Sequence, residues 1–364
     1  MKILRLNPSK IQGFEVAKHL TPTITINPLP PNILIMLNKY KGCLLGAVLG
    51  DALGMPGETT TSRFIGLSLK FKRAYKGHPN HDLLPGQYTD DSQLILMAAR
   101  LLADDSWTPE DYAKELLRTY NLNKFRYPDG TLYAACRRMK KTDDLIGSGV
   151  YSDSSGCIAL AIPFALAYKD RKAMAPKLLE ACSLTHTHPG AYAATLGTAL
   201  MLNTLIESGS IHKAYDALIT AAQNMDPDLA TRLNNAFRLE QTGLATEDAP
   251  AALGNSSSVY HTLPLAIFLC KRYDVPDQLL AYASAVGGNT DTISLLCGAF
   301  AGARYGISAL PTDLISQLER KSEFETLAEK LISPKKPAPD TTEKPTETPP
   351  ENPDQTTPEK PETS

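Results

Sequence analysis

Seven glycines fall on two four-residue ladders and constrain the fold more than any other feature of the chain. Gly42, Gly46, Gly50 and Gly54 run through one segment, and Gly298, Gly302 and Gly306 through another. Residues four apart share one face of an α-helix, so each segment presents a bare stripe. Glycine inside a helix costs up to ~1 kcal/mol per site. Such a row makes sense where a second backbone must come close, and tight helix packing accounts for most of these positions. It does not account for the polar residues beside them.

The rest of the chain also reads as helix. Leu94 to Ala103, Tyr112 to Tyr120, Met174 to Cys182, Ala191 to Ile206, His212 to Ala222, Leu263 to Tyr273 and Gln278 to Ala285 carry apolar residues at helical period between short polar turns. Ala and Leu abound, and alternating β-branched or aromatic runs are scarce. Only Ile24-Thr-Ile and Leu67-Ser-Leu-Lys-Phe resemble strand fragments. The expected fold class is all-α. Residues 1–38 read as an N-terminal arm, because Pro28, Pro30 and Pro31 exclude a continuous helix there. Residues 39–332 form the folded body. Residues 333–364 hold nine prolines among Thr, Glu, Lys and Asp with no apolar cluster, and are expected to be a disordered tail.

Composition narrows the function. The formal net charge of -2 and the pI near 6.4 create no bulk field for nucleic acid or an anionic membrane. Neither is expected as a primary partner. No stretch reaches the ~18 uninterrupted apolar residues of a spanning helix, and no apolar run with a cleavage site follows Lys2, Arg5 and Lys10. A cytoplasmic monomer is the expectation. Cys43, Cys136, Cys157, Cys182, Cys270 and Cys297 are scattered singly among apolar neighbours, as buried free thiols would be.

Two polar clusters carry the chemistry. Thr89-Asp90-Asp91-Ser92 stands just before an apolar helix and would cap its free N–H groups. Four consecutive oxygen-bearing side chains exceed what one cap requires. Gly287-Gly288-Asn289-Thr290-Asp291-Thr292 has the same design before another apolar helix. Two such helix starts, converging, would suit a hard cation such as Mg²⁺, which prefers oxygen ligands. Neither cluster contains His or Cys, which argues against zinc or copper.

With Gly-Asp-Ala-Leu-Gly-Met-Pro-Gly-Glu (Gly50 to Glu58) and Thr185-His186, these clusters resemble the ordered signature of the ADP-ribosylglycohydrolases. The resemblance runs from about Lys39 to Ile307. The segment from Leu253 to Phe268 resembles the one preceding the last motif in the branch that includes the ADP-ribosyl-serine hydrolases. The resemblance implies an orthogonal helical bundle around a binuclear Mg²⁺ centre, with ADP-ribose lying across it. It implies that Thr89, Asp90, Asp91, Asn289, Asp291 and Thr292 are metal ligands and that Glu58 and Asp51 are the acidic residues beside the scissile bond. Glu58 would be the general base and Asp51 a supporting carboxylate. Ser154, Ser155 and Gly156 in the small-residue loop, with His186 and Asn255, would bind ADP-ribose. The partner would be an ADP-ribosylated protein or a small ADP-ribose conjugate.

The chain departs from the family pattern at four places. Asn289 stands where an Asp is usual, Ser92 where a Thr is, and Ser155 where an Asn precedes the glycine. Ala159-Leu160 replaces a common Met-Arg. The leading reading is a hydrolase that removes ADP-ribose from a modified side chain. A catalytically weak or inactive ADP-ribose-binding relative is the second, motivated by Asn289 and Leu160. A third is an effector whose Pro/Thr/Glu-rich tail recruits a partner.

Overall fold

The computed structural model describes residues 30–64 and 67–333. Most of the expected arm, its Ile24-Thr-Ile fragment, and the tail from 334 onward lie outside the described residues. Fifteen α-helices are described. The first five are α1 (Pro31–Gly54), α2 (Asp90–Ala103), α3 (Pro109–Asn121), α4 (Gly130–Thr142) and α5 (Ala161–Ala167). There follow α6 (Arg171–Ser183), α7 (Pro189–Ser208), α8 (Ile211–Met225), α9 (Pro227–Gln241) and α10 (Ala249–Leu253). The last are α11 (Val259–Arg272), α12 (Pro276–Ala283), α13 (Thr290–Tyr305), α14 (Thr312–Ser316) and α15 (Lys321–Ile332). No strand occurs among the described residues; two isolated bridges join Val150 to His186 and Ser154 to Ser258. Leu67 to Phe71, a strand fragment by its alternation, is irregular coil, with no strand among the described residues to pair with.

The glycine ladders meet each other. A Cβ on Gly42 would stand 2.6 Å from the carbonyl oxygen of Gly302, and one on Gly46, Gly50, Gly298 or Gly302 would lie closer still to the facing backbone. Gly42 faces Gly302, Gly46 faces Gly298, Gly50 faces Ser294 and Gly54 faces Thr290, so α1 and α13 run antiparallel. Any side chain at these positions would push the pair apart. Gly306 is different: it ends α13 at φ 83°, the left-handed conformation glycine tolerates best. The antiparallel register has one consequence for function. It sets the C-terminus of α1 beside the N-terminus of α13.

Helix α1 begins at Pro31, inside the expected arm, because proline is favoured at the first helical position where its missing N–H is no loss. Its first turns are exposed, with Ile35 62% accessible, and from Gly42 onward every residue of the helix is buried. The span Pro31–Gly57 has a mean hydropathy of 1.4 and is long enough to cross a bilayer, although no uninterrupted apolar run reveals it. Its apolar second half is taken up by the protein core instead. Helices α4, α9 and α15 stand outside the seven segments that the apolar period picks out. Each buries a narrow face and is polar elsewhere; α9 buries only Leu229, Ala230, Leu233 and Ala236. The core joins α1, α2, α5, α7, α11 and α13, and all six cysteines are buried and free of disulfides.

Candidate active site

The end of α1 leads through a single 3-10 turn, Met55–Gly57, to Glu58. The following residue is sewn to the start of α13: Thr59 donates its N–H to the carbonyl of Gly288 (2.9 Å), and Gly288 donates to that of Thr60 (3.0 Å). Thr59 accepts a left-handed φ of 60° in doing so. The second helix start is brought in by Asp51. Its carboxylate, fully buried, accepts from the N–H of Thr89 (3.0 Å), the N–H of Ser92 (3.1 Å) and the Ser92 hydroxyl (2.5 Å). One acidic residue of α1 thus caps α2 from outside. Thr292 closes the triangle by donating its hydroxyl to Asp91 Oδ2 (2.7 Å) across 201 positions of sequence.

Together these links enclose a cavity of about 470 Å³. Five carboxylates line it, those of Glu58, Asp90, Asp91, Asp129 and Asp291, and among the described residues no Lys or Arg does. Burial first, and then the neighbouring Asp residues, push Glu58 up to about 11. Burial and the charge of Asp51 raise Asp291 to about 7. Asp90 and Asp91 also rise well above the usual carboxylate range, Asp90 from burial and then from Asp291, and Asp91 from burial and then from Asp90 and Asp291. Glu58 Oε2 is buried with no hydrogen-bond partner. A crowd of buried acids with an orphaned oxygen is the environment a hard cation relieves. As they stand, no three His, Cys, Asp or Glu side chains among the described residues are grouped to hold a metal ion. Several of these oxygens are instead engaged within the protein: Asp91 with Thr292, Asp90 with the Asp129 N–H (3.1 Å), and Asp291 with the Thr292 N–H (2.9 Å).

The remaining expected site residues divide into wall and support. Asp90, Asp91, Asn289, Asp291 and Thr292 line the cavity with Glu58, as do Ser155 and Gly156. Asp51 and Thr89 lie behind the wall, one capping α2 and the other accepting from the Asp91 N–H at 3.4 Å. Asn289 donates its amide N–H groups to the hydroxyls of Ser155 and Thr262, both at 3.0 Å. Asn255 supports the glycine pair: its side chain donates to the Val286 carbonyl (2.9 Å), and its own carbonyl accepts from the Asn289 N–H (2.7 Å). His186 is buried beneath the small-residue loop, 2.8 Å from Ser154 Oγ and 3.4 Å from Asp129 Oδ2. Burial opposes its charge, but Cys157 and Asp129 outweigh it and hold the pKa at about 10.

Asp129 is the residue that pattern reading passes over. It occupies the N-cap position of α4 yet makes no side-chain cap. Its carboxylate accepts instead from Ser154 (2.7 Å) and faces His186, and despite burial these donors hold it below the ordinary range. The turn Tyr127-Pro128-Asp129-Gly130 before a helix was the signal available. An unused cap residue is visible only once the side chain's direction is known.

The fold and the site define an all-α protein with an acidic, oxygen-lined cavity between helix termini. The sequence model of the family described as ADP-ribosylglycohydrolase matches residues 33–340. The chain is 27% identical over 298 residues to an uncharacterized protein of Archaeoglobus fulgidus, covering 81% of this chain and 96% of that one. It is 25% identical to ADP-ribosylhydrolase ARH3 of Danio rerio, with 82% and 91% covered. Against ADP-ribosyl-[dinitrogen reductase] glycohydrolase of Rhodospirillum rubrum the identity is 26%, with 79% and 92% covered. A solved structure titled ADP-ribosylglycohydrolase-related protein complex superposes with a TM-score of 0.69 at 25% identity, covering 82% of this chain and 98% of that chain. The chain belongs to the ADP-ribosylglycohydrolase family.

Proposed function

We propose that the protein is a Mg²⁺-dependent hydrolase that cleaves the glycosidic bond between ADP-ribose and a modified protein side chain or a small conjugate. The observation that carries this reading is the cavity of five carboxylates with no Lys or Arg lining it among the described residues, one of whose oxygens, Glu58 Oε2, has no hydrogen-bond partner among them. Asp90, Asp91, Asp291, Thr292 and Thr89 would hold two Mg²⁺ ions, with Asn289 offering an amide oxygen. Bound there, the ions would neutralise the carboxylates and fix the ribose hydroxyls.

The reaction adds water to C1″ of the ribose and breaks the bond from C1″ to the acceptor atom, through an oxocarbenium-like state. Glu58 takes the proton from the attacking water, and the acceptor leaves carrying a proton. Ionised Glu58 is disfavoured while Asp90, Asp91 and Asp291 press on it, so the base is active only once that charge is balanced. Ser155 and Gly156, on the wall, would face the phosphate and ribose side of the substrate. His186 and Ser154 hold that loop from behind, and Asp129 on the wall accepts from Ser154.

The test is ADP-ribose release from arginine-linked and serine-linked substrates, with and without Mg²⁺. Release that depends on Mg²⁺ and is lost in Asp91→Ala is the expected result, and the faster substrate names the linkage. Bound ADP-ribose with no release from either would overturn the reading in favour of a binding relative.

A further inference from the structure

A buried histidine, His78, faces the backbone of Glu58 from the coil that leads to α2. It is 1% exposed, although Gly77 and Pro79 on either side of it are open to solvent. Its Nδ1 accepts the N–H of Asn80 at 3.0 Å, and its Nε2 lies 3.2 Å from the carbonyl oxygen of Glu58. A ring nitrogen that accepts a backbone N–H carries no proton, so the proton of the neutral ring sits on Nε2 and is donated to Glu58. Burial lowers the pKa of His78 and so favours that neutral ring. The turn around it is already shaped by backbone bonds. His78 donates its N–H to the Tyr75 carbonyl (3.0 Å), His81 to that of His78 (3.0 Å) and Leu83 to that of Asn80 (3.1 Å). The two ring nitrogens therefore serve different ends: Nδ1 serves the turn, and Nε2 serves Glu58.

The peptide between Glu58 and Thr59 is held at both of its polar ends. His78 donates to its C=O, and its N–H donates to Gly288 at the start of α13 (2.9 Å). Among the described residues no other donor reaches that carbonyl. Little else restrains Glu58. Its own N–H bonds only to Met55 in the preceding turn (3.2 Å), its Oε2 is buried without a partner, and Thr59 after it holds a left-handed φ of 60°.

We propose that His78 is the positioning residue for Glu58: by fixing the Glu58 carbonyl it sets the direction in which the carboxylate leaves the backbone, into the acidic cavity. The proposal rests on the reading of Glu58 as the general base. Glu58 shares its cavity with Asp90, Asp91, Asp129 and Asp291, and like charges there push it outward. Rotation of the Glu58–Thr59 peptide is a small motion that relieves the push, and the bond from His78 opposes it. A base has to stand within hydrogen-bond reach of the proton it takes, and a displacement of about 1 Å costs up to ~10²-fold in rate. His78 does not line the cavity itself, so it acts through Glu58 and not on the substrate.

Two conservative variants of the full-length protein separate the two ring nitrogens, read as kcat and KM for Mg²⁺-dependent ADP-ribose release. In His78→Asn the amide oxygen takes the place of Nδ1, so the turn is kept and the donor to Glu58 is lost. In His78→Gln the longer side chain brings an amide N–H to the place of Nε2 and restores that donor. His78→Asn should lower kcat about ten- to hundred-fold with KM within about three-fold of wild type, since the base alone is displaced. His78→Gln should bring kcat back to within about three-fold of wild type. Wild-type kcat in His78→Asn, or equal losses in both variants, would overturn the proposal. A second measurement needs no variant: the His78 tautomer in the metal-free wild type, from long-range ¹H–¹⁵N correlation at neutral pH. A proton on Nε2 alone is expected, and one on Nδ1 would overturn the proposal whether or not the variants fold. Wild type that releases ADP-ribose from neither the arginine-linked nor the serine-linked substrate would break the hydrolase reading and the role of His78 with it. An active wild type with an unimpaired His78→Asn would sink the role of His78 alone.

Discussion

The N-terminus of α2 is completed within the protein. Asp51 accepts from two of its N–H groups and from Ser92 Oγ, and Thr89 Oγ1 takes the Asp91 N–H. The N-terminus of α13, built from similar residues, is left open. Asn289 provides no side-chain cap and spends its amide on Ser155 and Thr262, and the buried hydroxyl of Thr290 has no partner. Two segments that read alike therefore do different work. The α2 start is held from outside by α1, and the α13 start has no side-chain cap. Capping residues alone do not distinguish the two; the direction of each side chain does.

The largest test of this contrast is on the open side. Asp291→Ala should reduce ADP-ribose release by ~10²-fold or more, within the range of losing a group that acts directly in the chemistry. Because Asp291 presses on Glu58 and Asp90, the same change should leave the metal-free fold as stable or more so in a thermal melt. On the framed side the order reverses. Asp51→Ala strands two buried N–H groups and a hydroxyl, and should cost about 3 kcal/mol in urea unfolding. Equal destabilisation by both substitutions would erase the distinction.

A pH series sharpens it further. Asp291 is raised to about 7 in the fold, against ~4 in the unfolded chain. Between those values the folded protein holds more protons than the unfolded one, so metal-free stability falls as pH rises, with the cost complete above about 7. Glu58, raised to about 11, extends the loss to higher pH. The metal-free Tm should be higher at pH 5 than at pH 8, and Mg²⁺ should raise Tm more at pH 8. A Tm that rises with pH would contradict the crowded-acid picture. Next in size is Asn289→Asp, which adds a carboxylate to the open side. It should tighten Mg²⁺ several-fold by calorimetry while costing about 1 kcal/mol of metal-free stability. The smallest effect belongs to Thr89→Ala, whose 3.4 Å cap bond is long; a loss below about 1 kcal/mol is expected, since Asp51 still holds the same turn.

Most of the fold was legible because its signals are local. Apolar period marked seven of the helices, and the glycine ladders announced a close pair of backbones. Helix α9 stood outside although its buried residues Leu229, Ala230, Leu233 and Ala236 fall at helical spacing, because two of the four are alanines and polar residues fill the rest of the helix. The candidate site was legible as residue types, Thr89 to Asp91 and Asn289 to Thr292, but not as an arrangement. Nothing along the chain indicates that Asp51 points into α2, that the Asn289 amide donates to Ser155 and Thr262, or that Asp129 leaves its own helix uncapped to face His186.

The amino-acid order by itself determined that the chain is helical, that two of its helices can touch along bare glycine stripes, and that oxygen-bearing residues gather at two helix starts. These are properties of one turn or one face, written at spacings of three and four. Only the tertiary structure decided that the stripes meet antiparallel, so that Glu58 lands beside Asp291. It also brought Asp91 and Thr292 within 2.7 Å across 201 positions and set the His78 ring against the carbonyl of Glu58. The physical reason is that side-chain direction and charge proximity depend on packing between distant elements, and local spacing carries no record of it.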